Sequence, residues 1–110
     1  MRIISKRTLK LFWKQHPSAE QPLKSWFDEA MKASWNSPNE LKLQFGNASI
    51  ISDKRVVFNI HGNTFRLVVD IEFRLQIIFI VWVGTHQEYD KLDVREIHYV
   101  KTDSKRKTIR

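Results

Sequence analysis

The sequence contains no cysteine. That absence excludes disulfide scaffolds, thiolate metal sites and cysteine nucleophiles together. Glycine and proline are scarce, three of each. Gly46, Gly62 and Gly84 stand far apart, so no glycine-rich loop of the phosphate-cradling kind is present. The longest uninterrupted apolar run is residues 77–83. A membrane-spanning helix needs about twenty apolar residues, so no membrane span is expected. Residues 1–16 are positively charged but lack a continuous apolar stretch and a small-residue cleavage site, and no signal peptide is read there. A soluble, cytoplasmic protein is the expectation. Acidic side chains are the minority, 12 against 19 Lys and Arg.

What remains is enough for one self-sufficient domain: 110 residues, 42% apolar and 28% charged, an ordinary globular balance. Without staples the core must supply the stability, and four Trp and seven Phe give it bulk. The net charge of +7 is unevenly spread. Residues 1–50 carry +4, residues 51–100 carry −1, and residues 101–110 carry +4. A basic excess favours a polyanionic partner, nucleic acid or an anionic surface. A basic tail serves equally as a solvated extension with no dedicated role.

The apolar spacing changes near residue 46. Before it, the pattern is helical. Arg2, Ile3 and Ile4 read as a short edge strand, with Ser5 as an N-cap. Leu9, Phe12 and Trp13 then share one helical face until Pro17. Ser18 and Gln21 have capping-box spacing, with Pro22 in the first turn. Leu23, Trp26, Phe27 and Ala30 follow as a stripe at i, i+3, i+4 and i+7. Ser37-Pro38-Asn39-Glu40 is a third helix start, and Gly46 is suited to close that helix in the left-handed conformation.

After residue 50, β-branched and aromatic residues dominate. Val56, Phe58 and Ile60 alternate with Arg55, Val57 and Asn59. Phe65, Leu67, Val69 and Ile71 alternate with Arg66, Val68 and Asp70. His61-Gly62-Asn63 supplies the turn between them, so an antiparallel hairpin is expected. Ile77–Thr85 is apolar on both sides and reads as a central, fully covered strand ended by Gly84. Residues 85–92 have the spacing of one helical turn. The fold class is α+β, with N-terminal helices packed on one face of an antiparallel sheet.

Those helices leave a second face that carries Arg55 and Arg66 on adjacent strands. Two guanidinium groups cannot be buried together unpaired. Either they pair with Asp53, Asp70 or Glu72 in a cross-strand ladder, or they form an open surface matched to phosphate oxygens. His86 follows the last strand, with Tyr89 and Lys91 just beyond. Imidazole titrates near neutrality and arginines hold developing negative charge, so this set is a candidate for acid–base chemistry on a phosphodiester. A lone surface histidine is the plain alternative. Metal ligation is not expected, because His16, His61, His86 and His98 are scattered. On the N-terminal half, Lys6, Arg7, Lys10 and Lys14 form either a polyanion-docking helix face or a solvated one.

Arg55-Val56-Val57-Phe58-Asn59-Ile60, then Gly62-Asn63, Arg66-Leu67 and Gly84-Thr85-His86-Gln87-Glu88-Tyr89-Asp90, resemble the HigB toxin family. Met1-Arg2-Ile3-Ile4-Ser5 and Ala48-Ser49-Ile50 are similar to it as well. The resemblance covers residues 1–97, leaving 98–110 as a basic extension. It implies a RelE-like α+β ribonuclease, the toxic half of a type II toxin–antitoxin pair, cutting mRNA on the translating ribosome. It also implies a HigA-type helix-turn-helix antitoxin, and operator DNA reached indirectly through that antitoxin. His86, Tyr89 and Arg66 match the catalytic positions of the family. Arg55 and Lys91 are softer assignments to RNA binding. No cofactor or metal is implied. The alternative is a non-catalytic RNA- or protein-binding module derived from the same fold.

Overall fold

The computed structural model describes residues 1–99. Along them run β1 (Arg2–Ile4), α1 (Lys6–Gln15), a 3-10 turn (Pro17–Ala19) leading into α2 (Glu20–Lys32), α3 (Pro38–Gln44), β2 (Ser49–Ile50), β3 (Arg55–Ile60), β4 (Phe65–Glu72), β5 (Ile77–Thr85) and α4 (His86–Asp90). The five strands form one sheet in the order β1-β5-β4-β3-β2. β1 runs parallel to β5 and the other neighbours are antiparallel. The sheet is therefore mixed rather than purely antiparallel. All three long helices intervene between β1 and its partner, and that crossover is what parallel pairing requires.

The alternation expected for the hairpin is realised. Phe58 pairs with Leu67, Val56 with Val69 and Ile60 with Phe65, and these side chains are buried against Leu9, Leu23, Trp26, Ala30 and Leu41 of the helices. Phe58 is the hub: Trp26 and Phe45 meet it edge-on, with centroids at 5.3 and 5.0 Å. Burying such a ring contributes about 1.5–3 kcal/mol. His61 and Gly62 both take positive φ in the hairpin turn, which only small or turn-tolerant residues adopt without strain.

Several local expectations fail for identifiable reasons. Ser18 and Gln21 form no capping box. The chain enters α2 through the 3-10 turn, and Ala19 at the N-cap has no side-chain bond. Ser5 occupies the N-cap of α1 in the left-handed region without capping it. Its hydroxyl instead shares a 2.9 Å hydrogen bond with the Tyr99 hydroxyl. Gly46 is not left-handed. The end of α3 is instead closed by Lys42 Nζ, which donates to the carbonyls of Gly46 and Ala48 at 2.7 and 2.8 Å. The Ser37 start does hold, with its hydroxyl accepting from the Glu40 N–H.

β5 is an interior strand, but only one of its faces is covered by helices. Ile78 and Ile80 enter the core. A bulge then intervenes: Val69 pairs with Ile80, Val68 pairs with Trp82, and Val81 has no partner. The extra residue reverses the alternation. Trp82 and Gly84 therefore lie with Val68 and Arg66 on the face turned away from the helices, where Val68 and Gly84 are themselves buried, while Val83 packs on the core.

The chain beyond α4 returns across the far end of this open face. Arg55 Nη1 donates to the Val94 and Ile97 carbonyls, and Tyr99 packs on Phe79 at 5.2 Å between centroids. Tyr99, inside the expected extension 98–110, thus packs on the sheet. The rest of the expected extension, residues 100–110, lies outside the described residues. Among the described residues no helix is long and apolar enough to cross a membrane.

Candidate active site

The two strand arginines share one face of the sheet but not one environment. Arg55 stands opposite Asp70, and Arg66 stands opposite Asn59 and Gly84. Four residues separate the two rungs, about 13 Å at a strand's rise per residue. Arg55 is 8% exposed. Its Nε and Nη2 grip both Asp70 oxygens at 2.7 and 2.8 Å. The bonded carboxylate raises its pKa further above the ordinary arginine value, outweighing the opposing effect of burial. Both Nη1 hydrogens go to the Val94 and Ile97 carbonyls, so four of the five guanidinium N–H groups are engaged within the protein. The RNA contact expected of Arg55 thus competes with a formed cross-strand ion pair.

Arg66 is half-buried and open on one side. Nη2 donates to Asn63 Oδ1 at 2.7 Å and Nη1 to the Asn63 carbonyl at 3.1 Å. These bonds to the hairpin turn fix the group, and among the described residues no carboxylate pairs with it. The guanidinium carbon lies 5.7 Å from the centre of the Tyr89 ring. Opposite it, Gly84 presents no side chain to crowd the position.

His86 is the first residue of α4. Its backbone N–H donates to the Thr64 carbonyl at 3.0 Å, one residue from the Phe65–Thr85 rung. The short helix is held by a true capping box: Glu88 N–H donates to Thr85 Oγ1 at 3.1 Å, and Thr85 N–H donates to Glu88 Oε1 at 2.9 Å. Thr85 and Glu88 have the spacing that announces such a box in the sequence. One turn of helix puts His86, Tyr89 and Asp90 on neighbouring positions. His86 Nδ1 lies 3.7 Å from Asp90 Oδ2, an ion-pair distance when the imidazole is protonated. The i, i+4 spacing was the signal for Asp90. Lys91 is exposed at the C-cap of α4.

Trp82 completes the cluster. Its ring centre is 6.2 Å from that of Tyr89, tilted by 47°. Arg66, Tyr89 and Trp82 thus form a contiguous shelf on the open face, with His86 at its end and Lys91 just beyond the helix. The clefts at the opposite end of the face are differently lined. One of about 270 Å³ is walled by residues 51–55 with Asp70 and Arg95, where carboxylates answer the cations. Among the described residues no three His, Asp or Glu side chains converge as a metal cage does.

Comparison with known proteins shows the family. Residues 19–92 match the family model described as HigB_toxin, the RelE-like toxic component of a toxin-antitoxin system. The chain is 32% identical over 92 residues to the mRNA interferase toxin HigB of Escherichia coli (strain K12), covering 82% of this chain and 88% of that protein. The same figures hold for the mRNA interferase HigB of Shigella flexneri. A further mRNA interferase HigB, from Escherichia coli O6:H1, is 28% identical over 94 residues, 84% of this chain and 91% of that one. An α+β core with this sheet, matched over most of its length, makes the chain a member of the HigB family of RelE-like toxins.

Proposed function

We infer that this chain is the toxin of a type II toxin–antitoxin pair and an endoribonuclease that cuts mRNA, stopping translation in the cytoplasm. The observation that carries the reading is the Arg66 guanidinium, without a carboxylate partner among the described residues and fixed by Asn63 beside Tyr89 at the end of the sheet where α4 presents His86. Relatives over most of the chain bear the name mRNA interferase.

RNA carries its own nucleophile, the 2′-hydroxyl beside the scissile phosphate. A base takes that proton, the 2′-oxygen attacks phosphorus, and the bond to the 5′-oxygen breaks as an acid protonates it. The products are a 2′,3′-cyclic phosphate and a 5′-hydroxyl, and no metal ion is required. His86 serves as acid or base, with Asp90 orienting Nδ1 and leaving Nε2 for the substrate. Arg66 holds the charge that develops on the phosphorane oxygens. Tyr89 orients the nucleotide, and Lys91 adds an RNA contact at the rim.

Two catalytic side chains on an open shelf are a sparse set, and the ribosome supplies the missing constraint by holding mRNA against it. Lys6, Arg7, Lys10 and Lys14 are all exposed along α1 and form the face that docks to ribosomal RNA, in a salt-dependent manner. A helix-turn-helix antitoxin of the HigA type neutralises the toxin and carries the complex to operator DNA.

The deciding experiment is cleavage of a defined mRNA, with and without ribosomes, by wild type, His86→Ala and Arg66→Ala. Losses of roughly a hundredfold or more are expected for each variant, with unchanged melting temperatures. Full cleavage by folded His86→Ala overturns the assignment. Intact mRNA bound without cutting by wild type selects the binding module instead. Substituting Glu at Lys6, Arg7 and Lys10 should abolish co-sedimentation with ribosomes.

A further inference from the structure

Composition assigns Trp82 to core bulk along with the other tryptophans, and the structure does not put it there. Trp26 and Trp35 are 3% and 4% exposed, whereas Trp82 is only half-buried. Regular alternation after Ile78 and Ile80 would have carried residue 82 beneath the helices. The unpaired Val81 turns it to the open face instead, at the expense of a regular ladder.

The ring also depends on its neighbour. A Cβ built on Gly84 would sit 2.4 Å from two carbons of the Trp82 six-membered ring, so the indole passes directly over a residue that has no side chain. That same glycine is the cross-strand partner of Arg66. One missing side chain therefore seats the indole beside the guanidinium. Tyr89 joins the two, 6.2 Å from the indole and 5.7 Å from the guanidinium carbon. The aromatic rings are too close and too tilted to sandwich a third ring, which would need about 7 Å, twice a van der Waals contact. A flat group can only lie on the outer side of the indole.

We propose that the exposed side of Trp82 is the stacking platform for the nucleobase next to the cleaved phosphodiester, and that Gly84 is the residue that lets the indole lie there. The inference rests on the ribonuclease reading above. Base–aromatic stacking tolerates every base because each has a π face. An aromatic surface one side chain away from a phosphate-holding arginine places base and phosphate of a single nucleotide together.

The test is single-turnover cleavage of a defined mRNA on programmed ribosomes by wild type, Trp82→Phe and Trp82→Leu. Phenylalanine, which still stacks, should keep most of the efficiency. Leucine should lower it roughly ten- to hundredfold, with an unchanged melting curve. Gly84→Ala should weaken cleavage in the wild-type background and add little to Trp82→Leu, since both act on one ring. A wild type that cleaves beside an equally active Trp82→Leu overturns the platform and leaves the nuclease standing. A wild type that leaves mRNA intact overturns both. Normal cleavage with lost antitoxin binding in Trp82→Leu also overturns the platform and gives the indole to a protein interface. A second measurement does not need the leucine variant to fold. With non-cleavable 2′-O-methyl mRNA on wild type, 2-aminopurine beside the blocked linkage should be quenched by stacking, and unquenched fluorescence overturns the proposal.

Discussion

Arg55 and Arg66 are the same residue type on the same sheet face, and the fold uses them oppositely. Arg55 finds Asp70 in register and is roofed by the carbonyls of Val94 and Ile97. Arg66 finds Gly84 in register, is fixed by Asn63 and the Phe65 carbonyl, and stays open above Tyr89. One end of the face is thereby closed into structure and the other left free for chemistry. The cross-strand neighbour decides which: a carboxylate consumes a guanidinium, and a glycine leaves it available.

The strongest way to break that contrast is to remove Arg55. Arg55→Ala leaves the Asp70 carboxylate and two carbonyls without their donors in a largely buried setting. Losing one partner of such a pair costs about 3–5 kcal/mol, a large share of the roughly 5–15 kcal/mol that holds a domain together. Urea unfolding should show the loss, and cleavage per folded molecule should be unchanged. The double variant Arg55→Met/Asp70→Leu should recover most of the stability, because it removes both charges together. A stable Arg55→Ala variant that no longer cleaves mRNA would reverse the two arginines' roles.

The contrast between the arginines also marks where sequence reading stops. Alternation in β3 and β4 identified the faces correctly, since a period of two leaves no other way to bury Phe58 and Leu67. Spacing along the chain also marked residues 85–92 as a helical turn, and His86 and Tyr89 both lie on it. Register is not written in either strand alone, so it could not be known that Arg55, and not Arg66, meets Asp70. The bulge at Val81 was hidden for a related reason: in a run that is apolar at every position, an extra residue leaves no mark on the pattern. Trp82 was therefore invisible as a surface group. Parallel pairing of β1 was equally unreadable, because three residues carry no direction. The family resemblance supplied the roles of the site residues, and periodicity did not.

A smaller effect sharpens the open end of the comparison. Gly84→Ala forces a methyl group into the Trp82 ring and near Glu88 Oε1. Overpacking of this kind costs about 1–3 kcal/mol, less than the loss at Arg55. The melting temperature should fall modestly, and combining Gly84→Ala with Trp82→Leu should return part of the loss by freeing the space. If Gly84→Ala melts like wild type, the ring is free to swing aside and Gly84 is not what seats it.

The smallest effect on stability concerns the turn that carries His86 and Tyr89. α4 has five residues, far fewer than a helix needs to persist alone in water. Its capping box is what fixes its first turn. Thr85→Ala removes the oxygen that accepts the Glu88 N–H and should cost about 1 kcal/mol, read as a small shift in the urea midpoint. Cleavage should suffer more than stability, because fraying displaces the imidazole while the core beneath stays folded. Thr85→Ser keeps the accepting hydroxyl and should restore both quantities. An alanine variant that cleaves as well as wild type would show that the His86 N–H bond to the Thr64 carbonyl and the contact between Tyr89 and Trp82 hold α4 without the cap.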